Sequence, residues 1–340
     1  MKKHKICKIL LVILAIFLCV AFYELLGICV AYKKQPEVSN TTKKETKNGS
    51  WNECSENTER AVIIEKNPEA LLQRVRLIKN AKKEIILSTF AFQSDESGKL
   101  ILGALHDAAD RGVHIRLLVD GMESWIDMEG NPYFYGLSSH ENVEIKLYNK
   151  ANPLKPWKMM GRMHDKYLIA DGKRYILGGR NTYNYFLGDF PGHKNYDRDV
   201  LVVCDEPEKE NSVNQLLEYF ETIWEQEDSG YFHDNKKLAN RKSVKNAVLE
   251  LQNGYQKYFE ENKERICDTD YTDETFETEK IALVSNPIHT GSKEPVVWYQ
   301  LGELMKNAKN RVKIHTPYII CNDMMYNTWE EIAENVSDFS

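Results

Sequence analysis

The sequence predicts an α/β fold in which a mixed sheet is flanked by helices, followed by the start of a second lobe of the same kind. Strand and helix patterns alternate between residues 61 and 119, which indicates parallel strands joined by helical crossovers. An Asp171-Gly172 pair between two apolar runs predicts a hairpin with a two-residue turn. A helix-strand pattern that recurs near the C-terminus predicts the second lobe.

Residues 1–34 predict a membrane anchor. Several lysines precede a run from Ile9 to Tyr32 that is apolar except for Glu24 and is long enough to span a bilayer. A cleaved signal peptide is the alternative, because small residues around Cys29 suit a cleavage site. The apolar run is long for a signal peptide, so we interpret it as a single uncleaved anchor. The basic N-terminal tail favours a cytoplasmic tail and an extracytoplasmic domain.

Four further segments follow the anchor. Residues 35–57 are polar and are predicted to be a flexible linker. Residues 58–235 contain the alternating elements of the first lobe. Residues 236–280 are rich in charge and are interpreted as a connection between lobes. Residues 281–340 are interpreted as an incomplete second lobe.

Apolar periodicity assigns the elements of the first lobe. Strands are predicted at 61–64, 84–92, 113–119, 143–148, 163–170, 175–177 and 200–204, and helices at 67–81, 100–111 and 213–225. The loop from Asn152 to Gly161 contains Trp157 and two methionines beside lysines. Contact of this loop with lipid and packing of its apolar residues against the protein are equally consistent with this pattern.

The second lobe is indicated by a repeat. The sequence Lys79-Asn80-Ala81-Lys82 recurs at residues 306–309, and the strand at 85–89 aligns with residues 312–316. A helix is predicted before each copy of the repeat.

Charge and cysteine content exclude some classes of function. The net charge of −6 gives no electrostatic case for nucleic-acid binding, and none is expected. The seven cysteines show no metal-ligand spacing. For an extracytoplasmic domain, a disulfide between Cys54 and another cysteine is an alternative to free thiols.

The stretch between residues 162 and 181 holds the main candidate functional residues. His164 and Lys166 are two positions apart on a predicted strand, so their side chains point to the same face. A histidine can form a covalent phospho-intermediate, and a fixed cation can neutralise phosphodiester oxygens without a metal. The pattern therefore predicts phosphoryl chemistry.

The end of this stretch suits an anion. Gly178-Gly179 allows close approach of the backbone. Asn181 lies next to a predicted helix start at Thr182, where backbone N–H groups would face a bound anion. Tyr183, Tyr185 and Phe186 follow, and we interpret these three as core residues more readily than as the lining of a pocket.

This stretch resembles the phospholipase D superfamily, whose pattern is H-x-K-x4-D-x6-G-[GS]-x-N. Every fixed position is present, at His164, Lys166, Asp171, Gly178, Gly179 and Asn181. The second glycine, with Arg162 two residues before the histidine, looks most like the bacterial cardiolipin synthases. Asp171 is interpreted as a structural member of the motif, because turn chemistry explains an aspartate there.

The resemblance implies a phosphatidyltransferase that acts on membrane phospholipids through a phosphohistidine at His164. Lys166 and Asn181 would hold the phosphate oxygens, and neither a metal nor a cofactor is expected. In the family an acidic residue before the next strand orients the catalytic histidine. Asp199 fits this role best, and Asp197 is the alternate.

The sequence departs from two-lobed members of the family in one respect. They build one site from two motifs, whereas this chain contains one, and the repeat would place a second histidine beyond Ser340. We therefore expect that a second lobe or a second chain completes the site, and a fragment of a longer protein is the favoured interpretation. The alternatives are a phosphodiesterase or nuclease that uses the same site, and a non-catalytic truncated membrane protein.

Overall fold

The computed structural model describes residues 2–49, 59–204, 206, 211–233, 235–316 and 318–340. Residues 50–57 of the predicted linker lie outside the described residues. Cys54 is one of them, so the possible disulfide at this position lies outside the description as well.

The centre of the structure is a nine-stranded mixed sheet, which confirms the predicted α/β fold. The strands are β1 Glu59–Ile64, β2 Glu84–Thr89, β3 His114–Asp120, β4 Val143–Tyr148, β5 Lys166–Ala170, β6 Arg174–Gly178, β7 Asp199–Cys204, β8 Ser229–Tyr231 and β9 Phe276–Glu277. Their order across the sheet is β8-β4-β3-β2-β5-β6-β7-β1-β9. Strands β2, β3 and β4 are parallel, and the other neighbouring pairs are antiparallel.

Helices cover both faces of the sheet. The α-helices of the described residues, of which α1, α2, α10 and α11 lie apart from the sheet, are α1 Lys2–Ala31, α2 Asn40–Asn48, α3 Asn67–Asn80, α4 Glu96–Asp110, α5 Gly121–Asp127, α6 Pro132–Ser138, α7 Ser212–Trp224, α8 Lys242–Glu261, α9 Lys263–Cys267, α10 Val296–Lys306 and α11 Asp323–Asn335. Ile85 and Leu87 of β2 pack into the core on the side of α3 and α4, whereas Ile86 packs on the side of α7. Alternate residues of one strand therefore serve two cores, because side chains alternate across a sheet.

The prediction of a flexible linker is wrong for residues 40–48, which form α2. The hydroxyl of Ser39 accepts a hydrogen bond from the backbone N–H of Thr42, and Gly49 ends the helix in the left-handed conformation with φ 74°. Glu294 also anchors α2, since its carboxylate accepts from the Thr42 hydroxyl at 2.6 Å.

The charged segment 236–280 belongs to the first lobe and is not a connection. Helix α8 buries Val244, Ala247 and Leu251, and it packs on α4 and α6. Gly103 of α4 lies so close to α8 that an added Cβ would overlap the Leu251 carbonyl. Strand β9 then joins the sheet beside β1. The charges that suggested a connection occupy the solvent face of an amphipathic helix.

The predicted start of a second lobe is only partly formed as expected. Helix α10 is present, but the strand predicted at 312–316 is reduced to β10 Arg311–Val312. It pairs in parallel with β11 Asp338–Phe339 in a separate two-stranded sheet. His315 therefore lies outside a strand, and its Nδ1 is 3.0 Å from Nη1 of Arg198.

Helix α1 is long and apolar enough to cross a membrane. Its apolar span covers Lys5–Ala31, with a mean hydropathy of 2.9, and it is the one such helix among the described residues.

The hairpin between β5 and β6 is fixed by one carboxylate. Its loop has three residues and not the predicted two, because Ala170 pairs with Arg174. Asp171 has a φ of 54°, and its carboxylate accepts hydrogen bonds from the backbone N–H groups of Lys82, Lys83 and Glu84. The carboxylate thereby ties the hairpin to the entrance of β2.

We expect Asp171→Ala to lower the free energy of unfolding by about 2 kcal/mol, because three backbone donors lose their acceptor. Asp171→Asn is the matched control, since asparagine tolerates a positive φ and keeps one acceptor oxygen. Its loss should be less than half as large. Thermal unfolding of the full chain in detergent measures both, and equal losses would contradict this account of the turn.

Candidate functional site

His164 and Lys166 lie on the same side of β5 and share contact with one aromatic ring. The centroids of the His164 and Phe90 rings are 4.7 Å apart, and Nζ of Lys166 is 5.2 Å from the centre of the Phe90 ring. His164 comes just before β5, whereas Lys166 is its first residue. Between them, Asp165 points the other way and accepts a hydrogen bond from the Tyr219 hydroxyl at 2.8 Å. The imidazole is open to solvent, and the lysine is buried.

Burial changes the protonation of both groups. It lowers the pKa of Lys166 to about 8, against the charges of Asp165, Asp197 and Asp120, which act to raise it. The pKa of His164 is also lowered, first by partial burial and then by the positive charges of Lys166 and Arg162. At neutral pH the site therefore holds an unprotonated imidazole beside a lysine cation. Nζ of Lys166 donates to the backbone carbonyl of His164 at 2.6 Å, which fixes their separation.

Asp120 is the acidic residue whose charge acts on His164. It ends β3, is buried, and accepts a hydrogen bond from Nε of Arg162 at 2.9 Å and from the backbone N–H of Met163 at 3.0 Å. Its negative charge raises the pKa of His164, against the larger lowering effects. Arg162 also lies over the Phe90 ring. The Asp120–Arg162 pair therefore holds the backbone that leads into His164.

Asn181 enters the site from the end of β6. Its amide oxygen accepts from the backbone N–H of Ala91 at 3.2 Å, and its side chain also bonds to Tyr183. The helix predicted to start at Thr182 is absent. Thr182 instead forms an isolated parallel bridge with Phe92, so the backbone here follows the end of β2. The predicted anion-binding helix terminus is therefore wrong, and the amide of Asn181 is the group that this segment offers.

Tyr183, Tyr185 and Phe186 pack on the core. Phe186 is buried, whereas the two tyrosines are partly buried against the same apolar cluster. Their position agrees with the interpretation of these aromatics as core residues.

Asp199 does not contact His164. Its buried carboxylate lies 2.9 Å from Nη2 of Arg74 and 3.2 Å from Nη1 of Arg180. The expectation that Asp199 orients the histidine is wrong for this structure, because two arginines already neutralise it. Asp197 is closer to the candidate site, since its charge acts on Lys166.

Gly178 and Gly179 make room for these two carboxylates. A Cβ on Gly178 would overlap Oδ1 of Asp199, and a Cβ on Gly179 would overlap Oδ2 of Asp197. The glycine pair thus brings the end of β6 and the residues that lead to Asn181 against the start of β7 and the segment before it.

His164 and Lys166 both lie beside Phe90, the charge of Asp197 acts on Lys166, and Asn181 bonds to the backbone of Ala91. Asp171 and Asp199 lie in structural positions. Sequence reasoning missed Phe90, Asp120 and Arg180. Asp120-Gly121 at the carboxyl end of a parallel strand is a usable signal, because ligands bind at that edge of open α/β sheets. Arg180 occupies an unspecified position of the motif, so the pattern alone did not single it out.

A cavity of about 530 Å³ adjoins the segment before β7. It is lined by Glu65, Lys194, Asn195, Tyr196, Asp197, Arg198, His315 and Thr316. Residues from the predicted second lobe therefore form one wall beside Asp197. Within the described parts of the chain, no group of three or more His, Cys, Asp or Glu side chains is arranged to hold a metal ion.

Comparisons with known proteins identify the same region. A family model described as "Cardiolipin synthase, PLD-like domain" matches residues 74–224. An uncharacterised protein of Helicobacter pylori strain 26695 is 29% identical over 288 residues, which cover 76% of this chain and 54% of that protein. Cardiolipin synthase C of Escherichia coli K12 is 29% identical over 171 residues, which cover 46% of this chain and 34% of that protein. The chain thus spans about half, or less, of the length of these curated relatives.

The fold has a counterpart among solved structures. Phosphatidylserine synthase of Haemophilus influenzae Rd KW20 superposes with a TM-score of 0.55 at 15% sequence identity, over 87% of this chain and 65% of that chain. This likeness shows that the two chains share a fold.

Removal of the Asp199 carboxylate should damage the fold more than removal of Asp197. Asp199→Ala leaves Arg74 and Arg180 buried without their counter-ion, so we expect a loss of about 3–5 kcal/mol in the free energy of unfolding. Asp197→Ala is the matched control on a half-buried residue, and its loss should be within about 1 kcal/mol. Thermal unfolding of the full chain in detergent compares the two variants. A larger loss for Asp197→Ala would contradict the assignment of Asp199.

Binding of a tetrahedral oxyanion should weaken as pH rises through about 8, because Lys166 is a cation below its pKa and neutral above it. Titration calorimetry with tungstate between pH 7 and pH 9 measures this change. Lys166→Arg is the control, since arginine keeps its charge over this range. A pH profile of the wild-type protein as flat as that of Lys166→Arg would contradict the role of Lys166.

Proposed function

This chain is a member of the phospholipase D superfamily, and from that premise we propose that it is a membrane-anchored phosphatidyltransferase similar to cardiolipin synthase. The observation that carries the proposal is the pairing of an exposed, unprotonated imidazole at His164 with a buried cation at Lys166 on one side of β5. Transfer of a phosphatidyl group requires a nucleophile and a fixed positive charge close to it.

The proposed reaction has two steps. A nitrogen of His164 attacks phosphorus, the bond from phosphorus to the headgroup oxygen breaks, and a protonated second histidine gives its proton to the departing oxygen. An acceptor alcohol then attacks the phosphohistidine, its proton passes to the second histidine, and the phosphorus–nitrogen bond breaks. An imidazole without a proton is the reactive form in the first step, so the lowered pKa of His164 supports this role.

Lys166 and Asn181 are proposed to hold the non-bridging oxygens. The ammonium of Lys166 is largely stripped of water, so its attraction to a phosphate is stronger than that of an exposed lysine. Asn181 is held by the backbone of Ala91, which orients its amide group toward one place in the site. Asp120 replaces Asp199 in the proposal as the acid that acts on His164, and it does so together with Arg162.

The second histidine is proposed to come from a second lobe or a second chain. The sequence contains one His-x-Lys pair, at His164 and Lys166. The contact between His315 and Arg198 supports a second lobe on this side of the first, because it places residues of that region beside Asp197.

The membrane is proposed as the location of the substrate. Helix α1 has the length and hydropathy of a single membrane span, and a phospholipid substrate is available at the bilayer surface. The basic N-terminal tail supports a cytoplasmic tail and an extracytoplasmic site.

The proposal is tested with the full chain reconstituted in vesicles of phosphatidylglycerol in the presence of EDTA. We expect cardiolipin and glycerol as products from a dimer or from a chain that continues into a second motif, and little or no turnover from a monomer of these 340 residues. In the active form, His164→Gln should lower turnover by about 1,000-fold or more. His193→Gln is the matched control, because His193 is an exposed histidine whose ring contacts Tyr185 outside the site. Its activity should equal that of the wild-type protein. The oligomeric state is measured in parallel, because the second histidine is expected from a second motif.

Three results would count against the proposal. Turnover by His164→Gln at the wild-type rate would show that His164 is not the nucleophile. Activity that EDTA abolishes and one divalent ion restores would replace the mechanism by a metal-dependent one. Hydrolysis of single-stranded DNA without any turnover of phosphatidylglycerol would replace the lipid substrate.

A further inference from the structure

One face of the C-terminal part of α1 is covered by the folded domain. Ala21, Glu24, Gly27, Ile28 and Ala31 are partly covered, and they are spaced three or four residues apart, as on one side of a helix. The side chains of residues 5–20 are all exposed. The domain therefore contacts only the last three turns of the span.

The contact is made by the loop that leads into His164. Pro156 packs so tightly on the helix that a Cβ added to Gly27 would lie 2.5 Å from Cγ of Pro156. The hydroxyl of Tyr23 donates to the backbone carbonyl of Leu154 at 3.1 Å. Tyr23 and Gly27 are about 12 Å and 6 Å before the end of α1, at a rise of about 1.5 Å per residue. In a bilayer this level is the outer part of the hydrocarbon region and its interface.

The surface beside this contact is apolar and exposed. Leu154 is 77% exposed, Trp157 45% and Met160 58%, and on the neighbouring helix α5 Trp125 is 69% exposed and Ile126 66%. We call these five residues the interfacial patch. Met122 of α5 joins the two segments, because its sulfur is 3.2 Å from Nη1 of Arg162. Clustered exposed apolar side chains, unlike single ones, mark interaction sites on protein surfaces.

Exposed lysines lie near the interfacial patch in the chain and at the end of α1. Lys150 and Lys155 are exposed on the same loop, and Lys33 and Lys34 are exposed just beyond the end of α1. Tryptophans next to lysines are the combination found where proteins meet the surface of a bilayer. The positive charge favours anionic lipids.

We propose that the interfacial patch inserts into the anionic lipid surface that surrounds α1 and holds the mouth of the His164 site at the headgroup layer. The inference rests on the proposed function, because it takes α1 to span a bilayer. Met160 is only four residues before His164, so insertion of the patch places the imidazole next to the phosphodiesters of the same surface. The loop that was equally consistent with lipid contact and with packing is thus assigned to lipid, apart from the buried Pro156.

The test measures insertion and not activity. The full chain carries Trp125→Phe and Trp157→Phe and is reconstituted in nanodiscs of phosphatidylglycerol brominated on the acyl chains. Into this background we introduce either Met160→Trp in the patch or Ile63→Trp in β1 near the far edge of the sheet. The two native residues are matched in exposure, at 58% and 56%. The fluorescence that each introduced tryptophan adds to that of this background is measured. Its quenching by bromine reports contact of that tryptophan with the hydrocarbon.

We expect that fluorescence from Met160→Trp is strongly quenched and that fluorescence from Ile63→Trp equals its value in unbrominated lipid. Equal quenching of the two variants, in a chain that alkaline carbonate does not extract from vesicles, would overturn the inference and leave the membrane anchor intact. Extraction of the chain by carbonate would instead remove the anchor of the proposed function, and the inference with it. Loss of phosphatidyl transfer in His164→Gln does not change the interpretation of the quenching or of the carbonate extraction.

Discussion

The fold around the candidate site depends on one buried arginine, which combines an ion pair with several hydrogen bonds. Arg180 lies beside Asp199 and also donates hydrogen bonds to the backbone carbonyls of Ile64, Glu65 and Asp197. The end of β1, the start of α3 and the segment before β7 are therefore joined at one guanidinium. A buried charge is stable only when it is fully paired, so this arrangement has few alternatives. This arrangement also positions Asn181, which is the next residue in the chain.

The two glycines before Arg180 connect the packing of this region with the charges that act on the candidate site. The glycines before Arg180 allow two carboxylates to approach the backbone of β6 and the residues that follow it. One of them, Asp199, neutralises the arginines, and the other, Asp197, acts on Lys166. The segment thus serves both the packing of β7 and the electrostatics of the lysine. A substitution there changes both, which is why stability and binding must be measured separately.

The sequence predicted what local patterns can determine. Continuous apolar runs located the strands, because both faces of the sheet are buried. The spacing of His164 and Lys166 placed them on one side of β5. Prediction from the sequence failed where contacts between residues far apart in the chain determine the structure. The pairing of Asp199 with Arg74 joins β7 to α3, and no local signal shows it. The helix at Thr182 failed because the bridge to Phe92 gives its backbone other partners. The segment that contains α8 was predicted to be helical but was assigned to a connection between lobes, because its charged residues outnumber its buried ones.

Because Gly27 packs closely on Pro156, α1 is in direct contact with the domain and is not merely a flexible connection to it. A domain on a flexible tether sweeps a volume above the bilayer and meets lipids at many angles. Here the helix and the loop before His164 are in rigid contact, so the height and tilt of the imidazole follow those of the helix. In the proposed function, a phospholipid substrate would then reach the site by two-dimensional diffusion within one leaflet. If α1 spans a bilayer as proposed, the thickness of that bilayer would become part of the geometry of the site, since a thinner bilayer tilts a spanning helix and would move the loop with it.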